Sequence, residues 1–150
     1  MADNESMNVA DQESVGLAIF YLCSKYPNLP FTAKADTLQW QNLSSSECLG
    51  LFSMQGSYYL SKYVSGSYEG IVPIRLIYKT CPTSNKGRSN AEQFLSDLAT
   101  WLEKCTATFK DPHMTLSSIV RTSPVYKSDA NDAGYEQYTC TINVKFFYKK

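Results

Sequence analysis

The chain has a single histidine, His113, and that scarcity removes most nucleophilic chemistry before any fold is considered. A Cys–His or Ser–His pair would have to use it. It follows Asp111-Pro112 in a connector, and no G-x-S-x-G or similar signature stands anywhere. No cysteine or carboxylate lies at metal-ligand spacing from it. C-x-x-C pairs are missing too: Cys23, Cys48, Cys81, Cys105 and Cys140 are scattered and odd in number. That pattern reads as buried, reduced thiols of a cytosolic chain. No apolar run approaches the roughly 18 residues of a membrane span. Met1–Asn8 is polar and acidic, unlike a signal or transit peptide, so cytoplasmic synthesis and no membrane partner are expected.

Net charge is lacking as well. Fourteen Lys and Arg offset fourteen Asp and Glu. Chains that bind nucleic acid by neutralising phosphates usually carry a basic excess, so that role is disfavoured and only a local patch stays open. Lys86-Gly87-Arg88-Ser89 lacks the paired glycines and the Gly-Lys-Ser/Thr ending of a P-loop. Asp129, Asp132 and Glu136 cluster loosely, but the run is too short for an EF-hand and lacks its terminal Glu. No Gly-rich cofactor loop follows a strand. No catalytic residue, metal site or cofactor is expected.

What is present is a single-domain length of 150 residues, 43% apolar and 19% charged. One domain over 1–150 is expected, with 1–8 a flexible tail. Tyr is frequent: eleven, against seven Phe and two Trp. It suits half-buried sheet faces and interfaces, having an apolar body and a polar tip.

The clearest element is a helix over Asn90–Cys105. Ser89-Asn90-Ala91-Glu92 fits the S-x-x-E capping box. Ala91, Phe94, Leu95, Leu98, Trp101, Leu102 and Cys105 then fall on one apolar stripe. A first helix, capped by Asn8 or Asp11, carries Val15, Ala18, Ile19, Leu22, Cys23 and Tyr26 on one side; Gly16 costs it some propensity, and Pro27 and Pro30 end it. Strands are expected at Thr37–Leu43, Cys48–Gln55, Tyr58–Val64, Tyr68–Thr80 and Met114–Tyr126. The last, from Gln137 to Tyr148, alternates apolar and polar residues most clearly. Pro73 cannot donate to a ladder, which argues for an edge position or a bulge there. The order is α-β-β-β-β-α-β-β. Without regular β-α alternation this is an α+β fold, a mainly antiparallel sheet with both helices on one face.

From about Leu38 onward the chain resembles the minor capsid and tail-terminator (head–tail joining) proteins of phages and prophages of Gram-positive hosts. The carrying features come in order. A Tyr-containing hairpin precedes the strand Ile71-Val72-Pro73-Ile74-Arg75-Leu76-Ile77-Tyr78. A polar loop opens the helix Phe94–Glu103, which ends in a leucine–tryptophan segment. A further strand and an acidic turn follow. The final strand closes with Phe146-Phe147-Tyr148-Lys149-Lys150. The resemblance implies a non-enzymatic virion component, assembled in the host cytoplasm. It implies a homo-oligomeric ring, commonly hexameric, that meets the tail tube protein and the head connector protein while DNA passes through without sequence-specific binding. Isolated subunits of such a ring are expected to include monomers. It supplies no catalytic residues.

Tyr58, Tyr59, Tyr63 and Tyr68 on the hairpin, with Lys86 and Arg88 in the loop Cys81–Ser89, are the expected oligomer contacts. The hairpin is expected to offer tyrosines and unpaired edge groups, and the loop to be loose until a neighbour orders it. Two other readings stand beside this one. The first is a cytoplasmic α+β module enclosing a small ligand between sheet and helices. The second is an acyltransferase-like enzyme, which the single histidine disfavours.

Overall fold

A computed structural model describes residues 7–31, 37–130 and 134–150. Its frame is two 13-residue strands, β4 (Tyr68–Thr80) and β7 (Glu136–Tyr148). They pair antiparallel along their whole lengths, Tyr68 opposite Tyr148 and Thr80 opposite Glu136. Each is flanked on its outer edge by two shorter strands end to end. β2 (Cys48–Ser53) and β3 (Tyr58–Lys62) lie along β4, whereas β5 (Met114–Arg121) and β6 (Tyr126–Ala130) lie along β7. β1 (Leu38–Trp40) adds a parallel margin to β2. The expected α+β class holds, with one strand more than the sequence suggested. The reading of one strand over Met114–Tyr126 fails at Pro124, which has no N–H for the ladder.

Period-two alternation sets the faces. Val72, Ile74, Leu76 and Tyr78 pair with Val144, Ile142, Cys140 and Tyr138, and all eight are buried on one face. Both helices lie on that face. α1 (Val9–Ser24) contacts β1, β2 and β4, and α2 (Asn85–Glu103) contacts β4, β5 and β7. The space between the layers is filled by Val15, Ile19, Leu51, Leu76, Leu95, Leu98 and Ile142, none of which reaches solvent.

Pro73 stands in a central strand, contrary to the edge position its chemistry suggested. Its carbonyl accepts from Met54 N at 3.1 Å, so its nitrogen points to the same side, where β2 has ended and β3 has not begun. The missing donor therefore falls in a gap of the ladder and the partnership with β7 is intact.

α2 starts five residues earlier than the capping-box pattern suggested. Ser84 is the N-cap; its hydroxyl accepts from Gly87 N at 3.1 Å, which leaves Ser89 and Glu92 inside the helix. Ala91, Leu95, Leu98, Ala99 and Leu102 form the buried stripe. Phe94 and Trp101 turn sideways instead of onto β7. Phe94 meets the Tyr78 ring edge-on at 4.8 Å between centroids, and Trp101 meets Tyr26 at 5.2 Å.

α1 is capped by Asn8, whose Oδ1 accepts from Asp11 N at 2.8 Å. Met7 is already buried, so the expected tail over 1–8 joins the fold by Met7; residues 1–6 lie outside the described ones. Gly16 serves close packing: a Cβ there would come within 2.1 Å of Trp40 Cη2.

No disulfide joins the cysteines. Cys23, Cys48 and Cys140 are buried, Cys105 is half-buried and Cys81 is exposed. Burial pushes the Cys140 thiol up to about 12 and raises Cys23 further. A thiol-reactive dye should label Cys81 quickly in the native chain and reach Cys23, Cys48 and Cys140 only on unfolding. Rapid native labelling of all five would contradict this core.

Candidate assembly surface

The β3–β4 hairpin closes through Tyr63 N donating to Ser67 O at 2.8 Å and Gly66 N to Tyr63 O at 2.9 Å. Gly66 has φ +95°, the left-handed step that a three-residue loop of this kind places on glycine. The loop leaves Val64 fully exposed, with Leu60 and Tyr63 exposed beside it. Tyr58 pairs with Ile71 and takes the outer face of the sheet; Tyr59 pairs with Gly70 and takes the inner face. The hairpin tyrosines therefore divide. Tyr58 and Tyr63 look outward, Tyr63 with its ring 6.2 Å from Phe147. Tyr59 and Tyr68 turn in.

The inward pair holds α1. Asp11 Oδ2 accepts from Tyr59 Oη at 2.7 Å, Tyr68 Oη at 3.0 Å and Asn8 Nδ2 at 3.3 Å. The carboxylate sits in the first turn of α1, where the helix dipole favours it. Desolvation first, then the bond to Asp11, pushes the Tyr59 hydroxyl up to about 12; Tyr68 is raised for the same reasons. Tyr68 also stacks on Tyr148 at 4.7 Å. Sequence reading gave Asp11 a role only in the helix end, because its two phenolic partners are 48 and 57 residues away. Asp11→Ala should lower unfolding free energy by about 1–2 kcal/mol, the scale of charge-assisted bonds that are partly solvated. Urea unfolding measures it, and an unchanged midpoint would mean the cluster contributes nothing.

The second expected patch lies at the other end of β4. Thirteen residues at ~3.3 Å each place it about 40 Å from the hairpin. Here the structure redraws the expected loop, since Lys86 and Arg88 belong to the first turns of α2. Arg88 Nε lies 3.2 and 3.0 Å from the two carboxylate oxygens of Glu136, and its Nη1 donates to Asn85 Oδ1 at 3.1 Å. Tyr138 Oη donates to Glu136 Oε1 at 2.6 Å. Arg88 thus ties α2 to the start of β7, and Lys86 stays exposed.

The Tyr138 hydrogen bond and then Arg88 hold the Glu136 carboxyl below its ordinary 4.5. A lowered pKa gives stability that is complete above 4.5 and is lost as pH falls through the lowered value. The stability gap between wild type and Glu136→Gln should therefore be widest at neutral pH and close in acid. A gap independent of pH would contradict the pairing. Glu136 faces inward and Asp129 outward, so the loose acidic cluster is split across the sheet; Asp132 lies outside the described residues.

Each of β3, β5 and β6 has an irregular step, at Tyr59/Ser61, Leu116/Ser118 and Lys127/Asp129. Such bulges hinder pairing with another sheet edge. The hairpin thus offers side chains to a neighbour more readily than the unpaired edge groups first expected of it. Elsewhere His113 is exposed, with Nδ1 3.4 Å from Asp111 Oδ1. Among the described residues no group of three His, Cys, Asp or Glu is placed to hold a metal ion, and no helix is long and apolar enough to cross a membrane.

No protein-family model matches the sequence, and no curated protein sequence matches it. A solved structure described as the virion of a native gene transfer agent particle contains a chain of similar fold. The TM-score is 0.63 at 9% identity, and the match covers 93% of this chain and 99% of that one. The likeness is one of fold, and it extends over nearly all of both chains. A second solved chain matches over 97% of this one at 14% identity, with a TM-score of 0.43, too low to carry an argument.

Proposed function

We propose that the chain is a non-enzymatic structural subunit of a phage-like virion, a tail-terminator or head–tail joining protein. The observation that carries this is the fold shared, end to end, with a chain of a gene transfer agent virion. The Gram-positive host and the terminator role rest on the sequence resemblance alone. In this reading the subunits, assembled in the host cytoplasm, close head to tail into a ring, six being the expected number. One side of the ring meets the tail tube, the other the head connector, and DNA passes through.

A heterologous ring needs two different patches on each subunit. Two candidates stand at opposite ends of β4: exposed Tyr63 and Val64 with half-buried, outward-facing Tyr58 on the hairpin, and exposed Lys86 at the start of α2. Tyr59, Tyr68 and Arg88 act within the subunit, through Asp11 and Glu136, and support these patches from behind.

The test is native mass spectrometry of the purified chain and of two variants. Tyr58→Ala with Tyr63→Ala, and separately Lys86→Glu, should keep the wild-type circular dichroism spectrum and lose the closed ring. Variants that form rings like wild type would place the contact elsewhere. Rings absent from wild type even in the presence of tail tubes would overturn the function itself.

A further inference from the structure

Helix α1 is apolar around more of its circumference than the described residues cover. Val15, Ala18, Ile19 and Cys23 are buried against the sheet. On the opposite side Leu17 is 51% and Tyr21 61% exposed. With Ser14 and Ala18 they form one wall of an open groove of about 560 Å3, and Thr108, Phe109 and Lys110 form the other. Adjacent exposed apolar side chains lining a groove are candidates for a contact.

The exposed ridge runs at four-residue steps: Glu13, Leu17, Tyr21, Lys25. Lys25 Nζ lies over the Tyr21 ring, 5.1 Å from its centroid. Ridges at this spacing interdigitate with their like in the commonest helix-packing class, at a crossing of roughly −50°. The chemistry along the ridge is ordered as acid, apolar, aromatic, base. Turned end for end, it reads base, aromatic, apolar, acid. Laid antiparallel on itself, the ridge sets Leu17 against Tyr21 of the second copy and Glu13 against Lys25 of the second copy, each contact occurring twice. Self-complementarity of this form is what a two-fold contact requires.

We propose that this α1 ridge is an isologous docking site for a second copy of the chain. Charge selects that occupant. Lys110 on the far wall adds a second cation to the groove. The apolar hairpin tip has Lys62 beside it and would bring a cation to Lys25 and Lys110. Asp11 stays out of the contact because the hairpin tyrosines hold it. The contact is two-fold, so it is separate from the head-to-tail ring and does not rest on it. Its few apolar side chains place it at the small end of specific interfaces, with affinity in the micromolar range.

Sedimentation velocity on the full chain, over a concentration series at low salt, tests the pairing. Glu13→Lys or Lys25→Glu places like charges opposite each other and should raise the dimer dissociation constant about tenfold or more. The double variant, Glu13→Lys with Lys25→Glu, restores opposite charges and should return it to within about threefold of wild type. Circular dichroism establishes that each variant is folded. A wild type that stays monomeric at millimolar concentration overturns the proposal. So does a dimer that ignores the single reversals, or a double variant no tighter than either single one.

Discussion

Leu98→Ala is expected to lower the unfolding free energy by about 2–5 kcal/mol. Leu98 is fully buried at the centre of the α2 stripe, between Leu95 and Leu102, where α2 meets β4, β5 and β7. Truncation loses the transfer free energy of three carbons, and the cavity they leave adds to it. Collapse around that cavity is restricted, because the facing residues belong to two 13-residue strands locked in register with each other. Helix propensity pulls the other way, since alanine is the better helix former, but only by a few tenths of a kcal/mol. Thr100→Ala, on the exposed side of the same helix, should stay within about 0.5 kcal/mol of wild type. Chemical denaturation measures both. A cost under about 0.5 kcal/mol for Leu98→Ala would mean that the stripe is not core.

Gly16→Val is expected to cost about 3 kcal/mol, at the upper end of what overpacking does. In an exposed helix, replacing glycine would gain stability, up to about 1 kcal/mol for alanine. Here the sign reverses, because the Trp40 ring lies where a side chain would go: Cη2 at 2.1 Å and Cζ2 at 2.6 Å from an added Cβ. Trp40 belongs to β1, a three-residue strand at the margin of the sheet. The contact is relieved most easily by displacing the tryptophan, and with it β1. A Trp40 fluorescence shift should accompany the loss of stability. A Gly16→Val protein as stable as wild type, or more stable, would show that α1 does not pack on Trp40.

The sequence revealed those features that repeat at short range. The alternation Val72, Ile74, Leu76, Tyr78 and its counterpart from Tyr138 to Phe146 placed both central strands on their correct faces, because period two is a property of the backbone. The α2 stripe was legible for the same reason at period 3.6. The start of α2 was misread because two serines, Ser84 and Ser89, both have capping chemistry. Only the structure shows that Gly87 N meets the Ser84 hydroxyl. Pro73 suggested an edge or a bulge, since the sequence does not tell that β2 and β3 leave a gap opposite it.

Only the placement of the expected contact residues can be compared with the sequence reading. Tyr58, Tyr63 and Lys86 remain outward, where a neighbour could meet them. Tyr59, Tyr68 and Arg88 proved to be held by Asp11 and Glu136, partners 48 to 57 residues distant. Contacts at that range leave no periodic trace in a chain. The α1 ridge went unread for a different cause: the stripe Val15, Ala18, Ile19, Cys23 and Tyr26 marks the side that is buried, and Leu17 and Tyr21 opposite it carry no pattern of their own.

The central claim concerns place and assembly in a virion, and electron microscopy of antibody-labelled particles tests it most directly. An antibody raised against the purified chain would be applied to particles from the strain that encodes it, and the gold label mapped. The account predicts label at a single point, the junction of head and tail, with a ring visible there in averaged images. Particles that carry no label, or carry it along the tail or over the capsid, would contradict it.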